Sequence, residues 1–128
     1  MILLVRTDSE NAYIGFYEDQ IVYEHSWHAH RNLSETLLKK IEEGLATTES
    51  EWDKLSAVIV FAGPGSFTGL RIGITVANTL ANSQAIPIVG KQGEGWIEKG
   101  LEALADGQND KIVSPEYGSE ANITIPKK

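Results

Sequence analysis

A glycine-rich segment, Gly63 to Gly73 (GPGSFTGLRIG), holds the residue types in this sequence best suited to binding chemistry. It follows an apolar run and precedes a second one. Backbone N–H groups of a glycine turn at a helix start bind phosphate, because they and the helix dipole point the same way. Hydroxyl and cationic side chains would strengthen such a site. The candidate anion-binding residues are Gly63, Gly65, Ser66, Thr68, Gly69 and Arg71.

The segment departs from both common phosphate-binding patterns. A P-loop requires lysine after its last glycine, whereas Leu70 follows Gly69 here. The pattern G-x-G-x-x-G requires a third glycine where this sequence has Thr68. A second interpretation, which we call the structural interpretation, gives the segment no ligand. The glycines then allow positive φ and close backbone approach, while Ser66 or Thr68 caps the helix. The residues alone favour this interpretation and leave anion binding open.

The elements that would position this segment begin with strands, after which helices and strands alternate. Apolar and aromatic runs predict strands at 2–5, 11–17, 20–27, 56–62 and 86–89. Helical spacing of apolar residues predicts helices at 33–45, 69–83 and 92–105, and a last edge strand is predicted at 122–125. This order predicts an α/β fold with a mixed sheet flanked by helices. We expect one domain at 1–105, with 106–128 as a linker and C-terminal tail that packs on it.

Composition excludes several classes of protein. A chain of 128 residues suits one domain with a real core, and its net charge of -7 argues against direct nucleic-acid binding. The absence of cysteine removes disulfides and thiolate chemistry. No apolar run is long enough for a signal peptide or a membrane span, so we expect a cytoplasmic protein with no membrane contact.

The predicted helix at 69–83 has an unusual surface. Small residues recur every fourth position, at Gly69, Gly73, Ala77 and Ala81, and Arg71 is the helix's one charged residue. A helix that covers one face of a sheet normally has a charged outer side. This helix is therefore expected to be covered on both sides. The cover is either the chain's own first helix or, as we favour in so short a chain, another polypeptide.

The sequence contains no catalytic constellation. Ser66 lacks a neighbouring base, and no G-x-S-x-G pattern occurs. His25, His28 and His30 lie close together but without a carboxylate pattern, so we interpret them as solvated residues and predict no metal. Asp8 follows the first strand, but one acid is not a site. We predict no catalytic residue and no cofactor.

The segment Gly63 to Gly73 resembles the hallmark of the TsaB (YeaZ) family. The similarity extends to the first strand, to SETLLKKIEEGL, to IPIVGKQGEGW and to the tail PEYGSEANITIPKK. Family members are dimerisation subunits of the bacterial machinery that makes threonylcarbamoyladenosine on tRNA. The resemblance implies an actin-like (ASKHA, ribonuclease H-like) subdomain.

The sequence departs from the family pattern at two places. The short stretch ADGQNDKIV stands where the family has a second α/β subdomain, so the chain resembles a member reduced to its N-terminal subdomain plus the C-terminal tail. The family's first strand ends in Asp-Thr, whereas this one ends in Arg6-Thr7. Both departures argue against ATP hydrolysis.

The resemblance implies a non-catalytic scaffold subunit that binds and stabilises the catalytic partner TsaD, with TsaE as a further member of the assembly. It also implies that the chain, when alone, forms a homodimer through the same helices that bind TsaD, which are those predicted at 33–45 and 69–83. Three alternatives stay open: a small nucleotide-binding ATPase or phosphotransferase that uses the glycine segment, a proteolytic role, and a homodimer that has lost TsaD. The expected interface residues are Leu33, Leu37, Ile41, Leu70, Gly73, Ile74, Ala77 and Asn78. The sequence leaves open whether these faces of the two helices or the opposite faces point outward.

Overall fold

Three strands open the chain, and helices and strands alternate after them, as the apolar pattern predicts. A computed structural model describes residues 1–29 and 32–116, and the strand predicted at 122–125 lies outside them. A single 3-10 turn, Trp52–Lys54, precedes the fourth strand. The elements are β1 (Ile2–Arg6), β2 (Asn11–Tyr17), β3 (Ile21–His28), α1 (Leu33–Thr47), β4 (Ala57–Gly63), α2 (Phe67–Gln84), β5 (Ile88–Gln92) and α3 (Trp96–Ala105).

The strands form one mixed sheet in the order β3-β2-β1-β4-β5. Adjacent strands β1, β2 and β3 pair antiparallel, since short turns join them, whereas β1, β4 and β5 pair parallel through helical crossovers. Helices α1 and α2 cover one face, where Gly44 of α1 lies against Phe16, and α3 covers β4 and β5 on the other, where Gly100 lies against Ile59. The predicted α/β class and mixed sheet are confirmed.

Burial follows from this layering. All seven residues of β4 are buried, because helices lie on both faces of this central strand. In β3, by contrast, exposed and half-buried residues alternate from Val22 onward, because only one face of this edge strand is covered. No helix among residues 1–29 and 32–116 is long and apolar enough to cross a bilayer.

Two helices begin at other residues than the sequence predicts. Helix α2 starts at Phe67 rather than Gly69, because the Ser66 hydroxyl accepts the Gly69 N–H at 3.5 Å and caps the helix there. Helix α3 starts at Trp96, and the predicted start at 92 is wrong because Gln92 still pairs with Gly63 in the sheet.

The stretch after α3, which we call the strap (residues 109–116), binds the outer edge of β5. The side chain of Asn109 accepts the Ile88 N–H at 3.1 Å, and that of Asp110 accepts the Gly90 N–H at 2.9 Å. The Asp110 N–H in turn donates to the Ile88 carbonyl at 2.8 Å. Polar side chains thereby supply hydrogen-bond partners to backbone amides of an edge strand that would otherwise face solvent.

The second half of the strap is fixed to α2 and β4. The Asn78 side chain donates to the Val113 carbonyl at 3.0 Å and accepts the Val113 N–H at 2.9 Å. Val113 itself is buried against Gly90. The Glu116 N–H donates to the Ala62 carbonyl at 2.7 Å, so the strap ends beside the glycine segment.

Candidate partner-binding surface

The glycine segment packs tightly on the end of β1. A Cβ on Gly65 would collide with Asp8, and one on Gly69 would collide with the carbonyl of Thr7. The Ser66 N–H donates to the Asp8 carbonyl at 2.9 Å. These contacts explain why glycine occupies both positions: the two backbones lie too close together for a side chain to fit between them.

Three hydrogen-bonding groups at the start of α2 already have partners within the chain. The Ser66 hydroxyl caps the helix, the Gly69 N–H meets that hydroxyl, and the Leu70 N–H donates to the Ser66 carbonyl at 2.9 Å. A phosphate would have to compete with these bonds. The geometry therefore favours the structural interpretation of the segment, while anion binding stays a prediction.

Asp8, the acid beyond the first strand, is held by Arg6. The Arg6 Nε and Nη2 atoms donate to the two carboxylate oxygens of Asp8 at 2.8 Å and 3.1 Å. The guanidinium also lies 4.0 Å above the centroid of the Phe61 ring. Hydrogen bonding to Asp8 raises the pKa of Arg6. Arg6 thus neutralises the Asp8 carboxylate.

Replacing Arg6 by methionine is expected to lower the free energy of unfolding by about 1 kcal/mol, because the ion pair is only partly buried. Urea denaturation at low and high salt measures this. Lys40→Met, which removes the more loosely spaced Lys40–Glu43 pair at 3.5 Å, is the control and should change stability less. Equal effects of the two variants would contradict a special role for the Arg6 pair.

A groove of about 510 Å3 lies beside the Arg6–Asp8 pair on the α3 face of the sheet. Its acid Glu24 accepts a hydrogen bond from the Tyr13 hydroxyl at 2.8 Å, and the Tyr13 ring meets Trp96 edge-on. Burial, followed by the bond to Glu24, raises the pKa of Tyr13. The groove's polar side chains are therefore bound largely to one another.

The histidines form no metal centre in the part of the chain that is described. His25 stacks on Trp27 with ring centroids 5.7 Å apart, and His30 lies outside the described residues. No group of three potential ligands occurs within residues 1–29 and 32–116.

The small residues of α2 face the chain's own sheet. A Cβ on Gly73 would collide with the Thr7 side chain, whose hydroxyl donates to the Gly69 carbonyl at 2.8 Å. Ala77 and Ala81 are buried as well. The stripe therefore allows α2 to lie close to β1, and the interpretation that it receives the backbone of another polypeptide is wrong.

The structure places the eight expected interface residues inside the chain rather than on its surface. Seven are buried, and the eighth, Asn78, is half-buried and holds the strap. As they lie here, a second polypeptide would not touch them. An interface through α1 and α2 stays a prediction, but its contacts must come from the opposite sides of these helices. The buried residues are Leu33, Leu37, Ile41, Leu70, Gly73, Ile74 and Ala77.

The outer side of α2 is the surface that the sequence did not single out. Ile72 and Val76 are half-buried there, and Thr75 is exposed between them. Together with Leu38, 43% exposed on α1, they leave apolar side chains in contact with solvent. A shallow groove of about 350 Å3 runs along this side. Its lining residues are Ser34, Thr68, Arg71, Ile72, Thr75 and Val76.

The sheet order and the helices on both faces define the class of protein, which is an α/β lobe of actin-like fold. The structure of YeaZ from Pseudomonas aeruginosa matches with a TM-score of 0.67 and 24% identity, over 77% of this chain and 49% of that one. A second structure is described as an uncharacterized protein with similarity to peptidase YeaZ from Pseudomonas aeruginosa. It matches with a TM-score of 0.69 and 18% identity, over 99% of this chain and 70% of its own.

Sequence comparison identifies the family. A family model described as "TsaD: tRNA N6-adenosine threonylcarbamoyltransferase" matches residues 26–115. The tRNA threonylcarbamoyladenosine biosynthesis protein TsaB of Escherichia coli is 32% identical, over 94% of this chain and 56% of its own length. The Bacillus subtilis protein of the same name is 34% identical, over 89% of this chain and 49% of its own. The chain therefore belongs to the family that this model describes, and within it to the TsaB (YeaZ) group. It spans about half the length of the curated relatives that it matches.

Proposed function

We propose that this chain is a non-catalytic supporting subunit that binds and stabilises a TsaD protein in the formation of threonylcarbamoyladenosine on tRNA. The names of the TsaB relatives support the pathway. TsaE as a further member of the assembly, a homodimer when TsaD is absent, and a cytoplasmic location belong to the same proposal.

The observation that carries the proposal is the outer side of α2. The helix has 18 residues and one charge, although its outer side meets solvent in the isolated chain. Helix α1 beside it has five charged residues among 15, and α3 has three among ten. A helix surface with one charge and with half-exposed Ile72 and Val76 is typical of protein interfaces, which are depleted of charge at their centres.

A supporting role also agrees with the polar groups near the glycine segment. Asp8 is neutralised by Arg6, and the Ser66 hydroxyl caps α2. Neither group is left available for nucleotide chemistry in this arrangement. The ATPase alternative therefore has no observation in its favour.

Ile72→Glu is expected to weaken binding to the TsaD protein of the same organism about 30-fold, or roughly 2 kcal/mol, because it places a charge at the centre of the interface. Titration calorimetry measures the affinity, and light scattering the stoichiometry of the complex. Ile97→Glu is the matched control, since Ile97 is equally half-buried but lies on α3, across the sheet. Its complex should form with unchanged affinity.

Thermal melts of both variants show whether the fold is retained. An unmodified chain that does not bind TsaD contradicts the proposal, and so does an equal loss of affinity in both variants. Saturable binding of ATP and magnesium by the chain alone would replace it with the nucleotide-binding alternative.

A further inference from the structure

Arg71 is the one charged side chain of α2, and it lies on the outer side. It is exposed and lines the groove beside Ile72 and Thr75. Its guanidinium carbon lies 5.2 Å from the centroid of the Phe67 ring, which holds the planar group by a cation–π contact. A cation is thus kept in a defined place in the middle of an uncharged surface.

The Arg71 guanidinium forms no salt bridge within the described part of the chain. The ion pairs there join Arg6 to Asp8 and Lys40 to Glu43. Helix α2 contains no acid of its own. The planar fork of five N–H donors, which matches a carboxylate in two-point contact, is therefore directed to solvent.

We propose that the partner helix presents an aspartate or glutamate carboxylate to Arg71. This inference rests on the proposed function, because it assumes that the outer side of α2 is the interface. A partner that covers Ile72 and Val76 removes water from Arg71 as well, and a buried charge requires a paired counter-charge. One ion pair in an uncharged surface also fixes the register of the two helices.

The occupant that this chemistry fits is a helix of a different protein, with small or apolar residues around one acid. A second copy of this chain fits less well. If two α2 helices packed on each other, each Arg71 side chain would approach a helix that carries no acid. Repulsion between like charges would make such a homodimer weaker than the complex with TsaD.

The experiment measures affinity for the TsaD protein at 50 and 300 mM salt. Arg71→Met is expected to weaken binding at least tenfold at low salt and to remove most of its salt dependence. Arg71→Lys should recover only part of the loss, because a lysine cannot form the two-point contact. Lys99→Met is the control, since Lys99 lies on α3, across the sheet, and it should leave both affinity and salt dependence unchanged.

Charge reversal gives a second, independent measurement. Arg71→Glu is expected to bind most weakly of all, and replacing the facing acid of TsaD by arginine should restore binding. If Arg71→Met binds as tightly as the parent while Ile72→Glu does not bind, the inference is wrong and the proposed function stands. If the parent chain does not bind TsaD, both are wrong. A homodimer of the parent chain that becomes weaker in Arg71→Met would assign the surface to a second copy instead.

Discussion

Replacing Gly73 by valine is expected to lower the free energy of unfolding by about 3 kcal/mol or more, enough to unfold a marginally stable domain. A Cβ at this position would meet the Thr7 hydroxyl and lie 2.9 Å from two carbons of the same side chain. Thr7 is 1% exposed and donates to the Gly69 carbonyl, so it has no space to move. Helix α2 would have to separate from β1.

Urea denaturation measures the loss, and Thr75→Val is the control on the same helix. Thr75 is exposed two residues further on, where valine should change stability by less than about 0.5 kcal/mol. A Gly73→Val protein with the stability of the parent would mean that α2 does not pack on β1 in this way.

The second large effect is expected at Asn78. Asn78→Leu removes both hydrogen bonds to Val113 and leaves that residue's N–H and carbonyl without partners in a half-buried place. Each unsatisfied group costs about 1–3 kcal/mol, so we expect a total loss of roughly 3 kcal/mol or release of the strap from the domain. Hydrogen exchange at residues 111–116 distinguishes these outcomes, because release makes exchange fast without global unfolding.

Asn82→Leu is the matched control, one turn further along α2 and exposed. It should leave exchange in the strap unchanged. Slow exchange of the Val113 amide in Asn78→Leu, with parental stability, would contradict the role of Asn78 as the residue that holds the strap.

The sequence predicts the strands and α1 well because their apolar patterns have one interpretation. In β4, a short apolar run rich in β-branched residues fits a strand buried on both faces, and in α1 the spacing of Leu37 and Ile41 fits one buried side. Such patterns reflect burial directly, so the fold could be inferred before any coordinates.

The sides of α2 could not be assigned in the same way, because this helix is apolar or small nearly all round. Ile74 and Ile72 are chemically alike, yet the first is 2% exposed and the second half-buried. The difference in burial comes from the sheet, and in particular from Thr7, against which the small residues of α2 pack. Which side of a helix is buried depends, when no side is charged, on the elements that it packs against. The periodicity of the helix's own sequence carries no information about those elements.

The strap could not be predicted either, for a different reason. Asn109 and Asp110 are typical turn residues, and the sequence indicates a linker and tail that pack on the domain without indicating which contacts hold them. Their side chains instead bond to the backbone of β5, and Asn78 bonds to the backbone of Val113. A side-chain bond to a distant backbone group leaves no pattern in the sequence, because any residue can supply the backbone partner.

Because of the strap, the two edges of the sheet differ in how readily a strand of another molecule could pair with them. The Ile88 and Gly90 amides of β5 are already bound, so this margin offers few groups to an incoming strand. In the described part of the sheet, β3 has no neighbour on its outer margin, and it begins with Ile21 and Val22, which are 40% and 45% exposed. Unpaired backbone beside exposed apolar residues is where β-mediated aggregation begins. The solubility of the protein at high concentration is therefore expected to depend on β3, and charged residues introduced there would protect it during storage.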